Sequence, residues 1–216
     1  MTTTPPHLAV HPARSLWVVL PVTTGDDGTR LAAAIARARR LVPDERIVIL
    51  ADQSKDAWLY PFLGRRARMH VVDQPSDRGT TPAVLLALVY LLEQDPTARV
   101  IVLPGHRAIA DEDALVDALR AAAFSLLDDP GSLRVVGAVE APVAVAADGW
   151  TLAGTLCAHA PLWFGALAPA TRGRGALEDA YEALDRSDFE RDVLWPARAS
   201  VRAAPLRPAG EMAASP

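Results

Sequence analysis

Two short runs carry the residue types that hold a phosphate. Gly25-Asp26-Asp27-Gly28-Thr29-Arg30 and Arg78-Gly79-Thr80 each combine glycine, a hydroxyl and an arginine. Glycine lets backbone N–H groups approach an anion closely, and a guanidinium pairs with phosphate oxygens through a planar fork. The first run lies between an apolar stretch and a helical one, so the N–H groups of a helix start would face the same anion. Against this, Asp26 and Asp27 repel a polyphosphate unless a divalent cation intervenes, and Gly-Asp-Asp-Gly also makes a plain turn. For Arg78, a phosphate or base contact stands level with a salt bridge to Asp73 or Asp77. A third run, Pro104-Gly105-His106-Arg107, closes an apolar stretch where functional groups commonly stand. His106 there reads as a polar strand-end residue ahead of a metal ligand or base.

The elements around these runs alternate in type. Residues 16–22 (LWVVLPV) form a strand-like apolar run, and residues 29–41 have the Ala/Arg content of a helix with Leu31, Ile35, Ala38 and Val42 on one side. Residues 46–51 (RIVILA) make a second strand, completing a strand-loop-helix-strand unit of the kind that builds a parallel sheet. A short helix over 54–63, broken by Pro61, leads to a strand over 68–72. Thr81 is placed as an N-cap with Pro82 at the first helical position, and the helix over 82–94 is apolar nearly all round, hence buried. A strand over 99–103 follows, then a helix capped by Asp111 with Glu112 and Asp113 in its first turn. Strands are expected over 133–139 and 150–158, a helix over 176–184, a turn or two over 188–194 and a weak strand over 200–206. The chain reads as one α/β domain over 16–216 behind a disordered tail, 1–15.

Composition narrows the function classes. Half of the 216 residues are apolar and the net charge is -4, so neither nucleic acid nor an anionic membrane is an expected partner. Lys55 is the only lysine, which removes the mobile point charge that phosphate chemistry often uses. Cys157 is the only cysteine. It excludes an intramolecular disulfide and is expected to be an inert thiol in a buried strand. No apolar run has the roughly 20 residues needed to span a bilayer, and the first residues lack a signal-peptide apolar region, so a cytoplasmic location is expected. His70 and His159 are expected as hydrogen-bonded core residues in strands. Trp58, Trp163 and Trp195 are expected to pack rather than stack on a ligand, and Arg172-Gly173-Arg174-Gly175 to be a solvated loop.

In order along the chain, these residues resemble the sugar-phosphate nucleotidyltransferases, and within them the mannose-1-phosphate guanylyltransferases. The run Gln74-Pro75-Ser76-Asp77-Arg78-Gly79-Thr80-Thr81-Pro82-Ala83 is similar to that family's Q-P-x-x-R-G-T-A segment. Asp95-Pro96-Thr97-Ala98 with the strand after it is similar to D-P-x-A-x-V-x-V-L-P. Asp188-Phe189-Glu190-Arg191-Asp192-Val193-Leu194 is similar to D-F-S-x-x-V-L. The resemblance is dense over 37–127 and patchy elsewhere. It implies a Rossmann-like nucleotidyltransferase sandwich with a mostly parallel central sheet and a nucleotide at the C-terminal strand ends. It also implies nucleotide contacts at Gly25, Gly28, Thr29, Gln74, Pro75, Arg78, Gly79 and Thr80, and makes Arg30 the one candidate for a catalytic role.

The departures from the family pattern fall on charge. Asp26 replaces a signature glycine, and Leu31 runs straight into a helix where the family carries a P-K-Q lysine. The family's P-S-D-H acid, which holds magnesium, corresponds to His106. A second metal-binding acid corresponds to Met212, with AGEMAASP (209–216) standing for the family's last motif. Neutral imidazole is a poor ligand for a hard cation, although Glu211 or Asp111 remains open as a substitute ligand. The expectation is an impaired relative that binds a nucleotide such as GTP, or serves as partner to an active paralogue or to itself as a homo-oligomer. Magnesium is expected only if activity is retained. A divergent active enzyme making an NDP-sugar and pyrophosphate, and a scaffold with no ligand, are the other readings.

Overall fold

The period-2 alternation along β1 (Leu16–Pro21) divides the molecule into two cores. Trp17 and Val19 face one side, and Leu16, Val18 and Leu20 face the other. All six residues are buried, as expected of a central strand covered on both faces. The computed structural model describes residues 15–22, 28–64, 68–105, 109–170, 174–204 and 206. The further elements are α1 (Gly28–Arg39), β2 (Ile47–Asp52), α2 (Asp56–Leu63), β3 (His70–Gln74), α3 (Thr80–Gln94), β4 (Arg99–Val102) and α4 (Glu112–Asp128). After them come β5 (Leu133–Ala138), β6 (Ala141–Asp148), α5 (Gly149–His159), α6 (Pro161–Ala170), α7 (Arg174–Ala183) and β7 (Val201–Ala204).

The seven strands form one sheet in the order β3-β2-β1-β4-β6-β5-β7. Strands β1 to β4 are parallel, β6 runs antiparallel between β4 and β5, and β7 pairs parallel with β5. The expected α/β class with a mostly parallel sheet is therefore observed. Helices α1, α2 and α4 cover one face, and α3, α5, α6 and α7 cover the other. On the first face Arg37 of α1, only 7% exposed, holds Glu112 of α4 through contacts of 2.7 to 3.0 Å. Asp111 caps α4 as expected, accepting from the Ala114 N–H at 2.9 Å.

Five expectations are corrected. Residues 150–158 are helical, not a strand. Leu152, Ala153 and Leu156 are buried at helical spacing, and Asp148 caps the start by accepting from the Trp150 N–H. The strand there is β6, whose alanine-rich sequence has weak intrinsic strand preference and whose residues are held by pairing on both sides. Cys157 is consequently exposed on a helix, and His159 ends that helix instead of lying in a strand. Helix α2 continues through Pro61 to Leu63. Helix α3 begins at Thr80, so Thr81 lies inside it, fully buried, and is not its cap. The tail over 1–14, Gly25, Asp26, Asp27, His106, Arg172, Gly173, Glu211 and Met212 lie outside the described residues.

The candidate cleft at the strand ends

The chain leaves β1 toward β2 on one side, while β4 stands on the other, so the sheet order reverses between β1 and β4. In open α/β sheets that reversal opens a crevice at the C-terminal strand ends, the usual ligand position. A cleft of about 490 Å³, counted to its open mouth, lies there. Pro21 and Val102 from the two strand ends form its floor with Pro104, and Val145 lies on β6. Thr80 and Val84 of α3 make one wall, and Asp188, Phe189 and Glu190 another. Most of this lining is apolar. Its two ionisable side chains among the described residues, Asp188 and Glu190, are both acids.

The α3 wall is joined to the 187–192 segment by a dense set of hydrogen bonds. Thr81 N–H donates to the Ser187 carbonyl at 3.1 Å, and Ser187 N–H donates to the Arg78 carbonyl at 2.9 Å. The Thr80 hydroxyl accepts from Phe189 N–H at 2.8 Å and donates to the Asp188 carboxylate at 3.1 Å. The Ser187 hydroxyl bridges Thr81 and Asp192. Gly79 has φ +94, and a Cβ there would collide with the Ser187 carbonyl oxygen. The segment then turns through a short π-helix, Phe189–Leu194, begun by Asp188 accepting from Arg191 N–H. Asp192 has a pKa lowered to about 2, chiefly by the Arg191 guanidinium beside it, helped by the Asp188 N–H and Ser187 hydroxyl.

Gln74, at the end of β3, is 4% exposed and accepts from the buried Tyr181 hydroxyl at 3.0 Å. Burial, reinforced by the Asp77 charge, pushes that phenol's pKa up. Asp77 is held by Arg186 and accepts from Gly79 N–H. Asp73 accepts from the Tyr60 hydroxyl. Neither acid pairs with Arg78, which is in no salt bridge among the described residues.

Of the candidate nucleotide residues, Thr80 alone reaches the cleft lining among those described. Gln74 and Gly79 are engaged within the fold, and Pro75 and Arg78 lie half-buried on the loop between β3 and α3. Gly28, Thr29 and Arg30 occupy the first turn of α1, where Thr29 and Arg30 are exposed. Asp188, Phe189 and Glu190 were not among the candidate site residues. Their one signal was that the run beginning at Asp188 matches a family segment placed far along the chain. Among the described residues no group of three His, Cys, Asp or Glu side chains stands close enough to hold a metal. Both Asp188 oxygens are already bonded. The described donors therefore do not fit a magnesium site, which asks for six oxygens in near-octahedral order.

The remaining residues singled out in the sequence pack as follows. His70 on β3 is hydrogen-bonded to the Tyr90 hydroxyl at 2.6 Å and the Glu45 carbonyl at 3.1 Å. Trp163 is buried against Tyr181, Trp58 meets Phe62 edge-on, and Trp195 is half-exposed under Arg198. No helix is long and apolar enough to cross a membrane, among the described residues.

This seven-stranded, mostly parallel α/β fold is shared with solved structures of low sequence identity. Mannose-1-phosphate geranyltransferase from Thermus thermophilus superposes with a TM-score of 0.73, at 20% identity over 89% of this chain and 74% of that one. Mannose-6-phosphate isomerase from Helicobacter pylori gives 0.69, at 14% identity over 89% and 98%. A Pyrobaculum calidifontis mannosyltransferase solved with GDP-Man and Mn2+ gives only 0.42 over 66% and 45%, at 14% identity, too slight a likeness to bear on ligands here. No protein-family model matches the sequence, and no curated protein does.

Proposed function

We propose that this chain is a catalytically impaired relative of the mannose-1-phosphate guanylyltransferases, kept in the cytoplasm as a nucleotide-binding or partner module. The observation that carries the reading is the wall of the switch-point cleft, which among the described residues offers two carboxylates and no cation. Nucleotidyl transfer brings a sugar phosphate onto the α-phosphorus of a triphosphate. Its catalysis consists mainly of holding two anions together and neutralising them. An apolar cleft edged by acids opposes both anions, and one missing electrostatic group commonly costs about 3 kcal/mol of transition-state stabilisation. The sequence departures at Asp26, His106 and Met212, with the family's P-K-Q lysine absent, point the same way.

Nucleotide contact then falls to the α1 start, Gly28, Thr29 and Arg30, and to the loop residues Pro75 and Arg78. Arg30 acts here as a phosphate contact and drives no turnover. The test is calorimetric titration with GTP and with GDP-mannose, with and without magnesium, alongside a pyrophosphate-release assay with mannose 1-phosphate. Binding without turnover is the expected result. Magnesium-dependent pyrophosphate release overturns the proposal, and no binding in any arm reduces the chain to a scaffold.

A further inference from the structure

Asp52 closes β2 and is 5% exposed, yet only half of its carboxylate is engaged. Its Oδ1 accepts from the Ser54 N–H at 2.9 Å and from the Ser54 hydroxyl. Its Oδ2 accepts from no group among the described residues, and no lysine or arginine there pairs with the acid. Holding the turn at Ser54 asks for one oxygen, which asparagine supplies without a charge. A buried carboxylate lacking a cation is costly to keep. The free oxygen is not sealed in. Among the described residues, the only enclosed side-chain polar atom without a partner is Arg134 Nε, so Oδ2 is open to solvent and to a ligand.

Position gives this oxygen a use. Pro21, the last residue of β1, pairs with Leu50, so Asp52 stands just beyond the level at which β1 ends. From β1 the chain passes to α1, whose first turn holds Gly28, Thr29 and Arg30. The start of such a helix offers backbone N–H groups to a phosphate. The parallel strands in the order β3-β2-β1-β4 match the half-sheet that binds a mononucleotide across its C-terminal strand ends. In that arrangement the phosphate takes the first helix start, and an acid about 20 residues on accepts from the ribose 2′-hydroxyl. Asp52 is the acid in that place, whereas Asp44 and Glu45 precede β2 at its other end.

We propose, on the nucleotide-binding reading above, that Asp52 accepts from the ribose hydroxyls of a ribonucleoside phosphate whose phosphates lie at the α1 start. The ribose then stands between the carboxylate and the phosphates, which the acid repels. The two bonds from Ser54 hold the carboxylate in place, so little order is lost when the ligand arrives.

Calorimetric titration of the full chain with GTP, ATP and their 2′,3′-dideoxy forms tests the proposal. For at least one base, the ribo form should bind about tenfold or more tightly than the dideoxy form, as a hydrogen bond to a charged group allows. Asp52→Asn keeps an oxygen for Ser54, which places its amide nitrogen where Oδ2 stood. That variant should bind both forms within about threefold of each other, with dideoxy affinity and circular dichroism as in the wild type. Equal binding of ribo and dideoxy forms by the wild type overturns the proposal and leaves nucleotide binding standing. So does an Asp52→Asn variant that keeps the full preference. No binding in any arm overturns this proposal and the nucleotide-binding reading together.

Discussion

Gly79→Ala separates two explanations of one glycine. If Gly79 exists so that a phosphate can approach the backbone, alanine there should cost nucleotide affinity and leave stability alone. The structure gives the opposite expectation. At φ 94 and ψ -173 the residue sits in a region that only glycine enters readily, and other side chains lose about 1–3 kcal/mol by staying there. The added methyl also meets the Ser187 carbonyl oxygen, a backbone atom that cannot rotate away. Moving Ser187 stretches the Thr81-to-Ser187 and Ser187-to-Arg78 bonds, each worth roughly 1 kcal/mol net. The sum is about 3–5 kcal/mol, a large part of the 5–15 kcal/mol that holds a typical domain. For a chain of this length that lowers the thermal midpoint by roughly 10 °C. Urea unfolding followed by circular dichroism measures it, with Gly175→Ala as control, since nothing lies near its Cβ position. A Gly79→Ala loss below about 1 kcal/mol with a sharp loss of GTP binding would refute the structural account.

Three further outcomes are expected. Asp192→Asn removes a carboxylate whose folded pKa is depressed to about 2. Its stabilisation is present above the ordinary carboxylate pKa near 3.8 and is lost as pH falls through 2. The wild type should therefore exceed the variant by about 1–2 kcal/mol at neutral pH, after discounting for partial exposure, and the gap should close in acid. Arg37→Ala strands Glu112 and empties a buried space between α1 and α4, costing about 2 kcal/mol in urea unfolding; a cost under about 0.5 kcal/mol would make the pair ornamental. Tyr181→Phe leaves the buried Gln74 carbonyl oxygen without its donor, a loss of about 1–2 kcal/mol. The same variant should lack the tyrosinate absorbance that appears only when alkali unfolds the wild type, because burial holds Tyr181 protonated in the fold.

The first four strands and the helices between them were legible because their apolar runs are dense and their punctuation is strong. Asp95 and Pro96 stop α3, and Asp111 starts α4. Legibility failed where local chemistry and tertiary context disagree. The alanines of β6 gain strand structure only from β4 and β5 on either side, a long-range cause that no window of sequence contains. Trp150, Thr151 and Thr155 favour strands by type, yet the 152-153-156 burial spacing and the Asp148 cap prevail. The cleft was half legible. Its floor lies at the ends of strands that were read correctly, but its second wall comes from residues 188–190, over a hundred positions beyond Thr80.

That second wall changes what the family resemblance is worth. The stretch most similar to the guanylyltransferases contains Gln74, Gly79, Thr80 and Thr81, and each is engaged by the chain itself. Tyr181 donates to Gln74, Ser187 fills the space above Gly79, and Phe189 and Asp188 take both capacities of the Thr80 hydroxyl. Residues with such duties persist for stability whether or not a nucleotide arrives, so their presence alone does not require a working site. The positions to which the resemblance assigns chemistry alone are a neutralising lysine and two metal-binding acids. Those are the positions where this sequence differs. On the proposed reading, a chain selected for its fold and not for transfer keeps the joint between α3 and the 187–192 segment and changes the charges that the resemblance assigns to transfer.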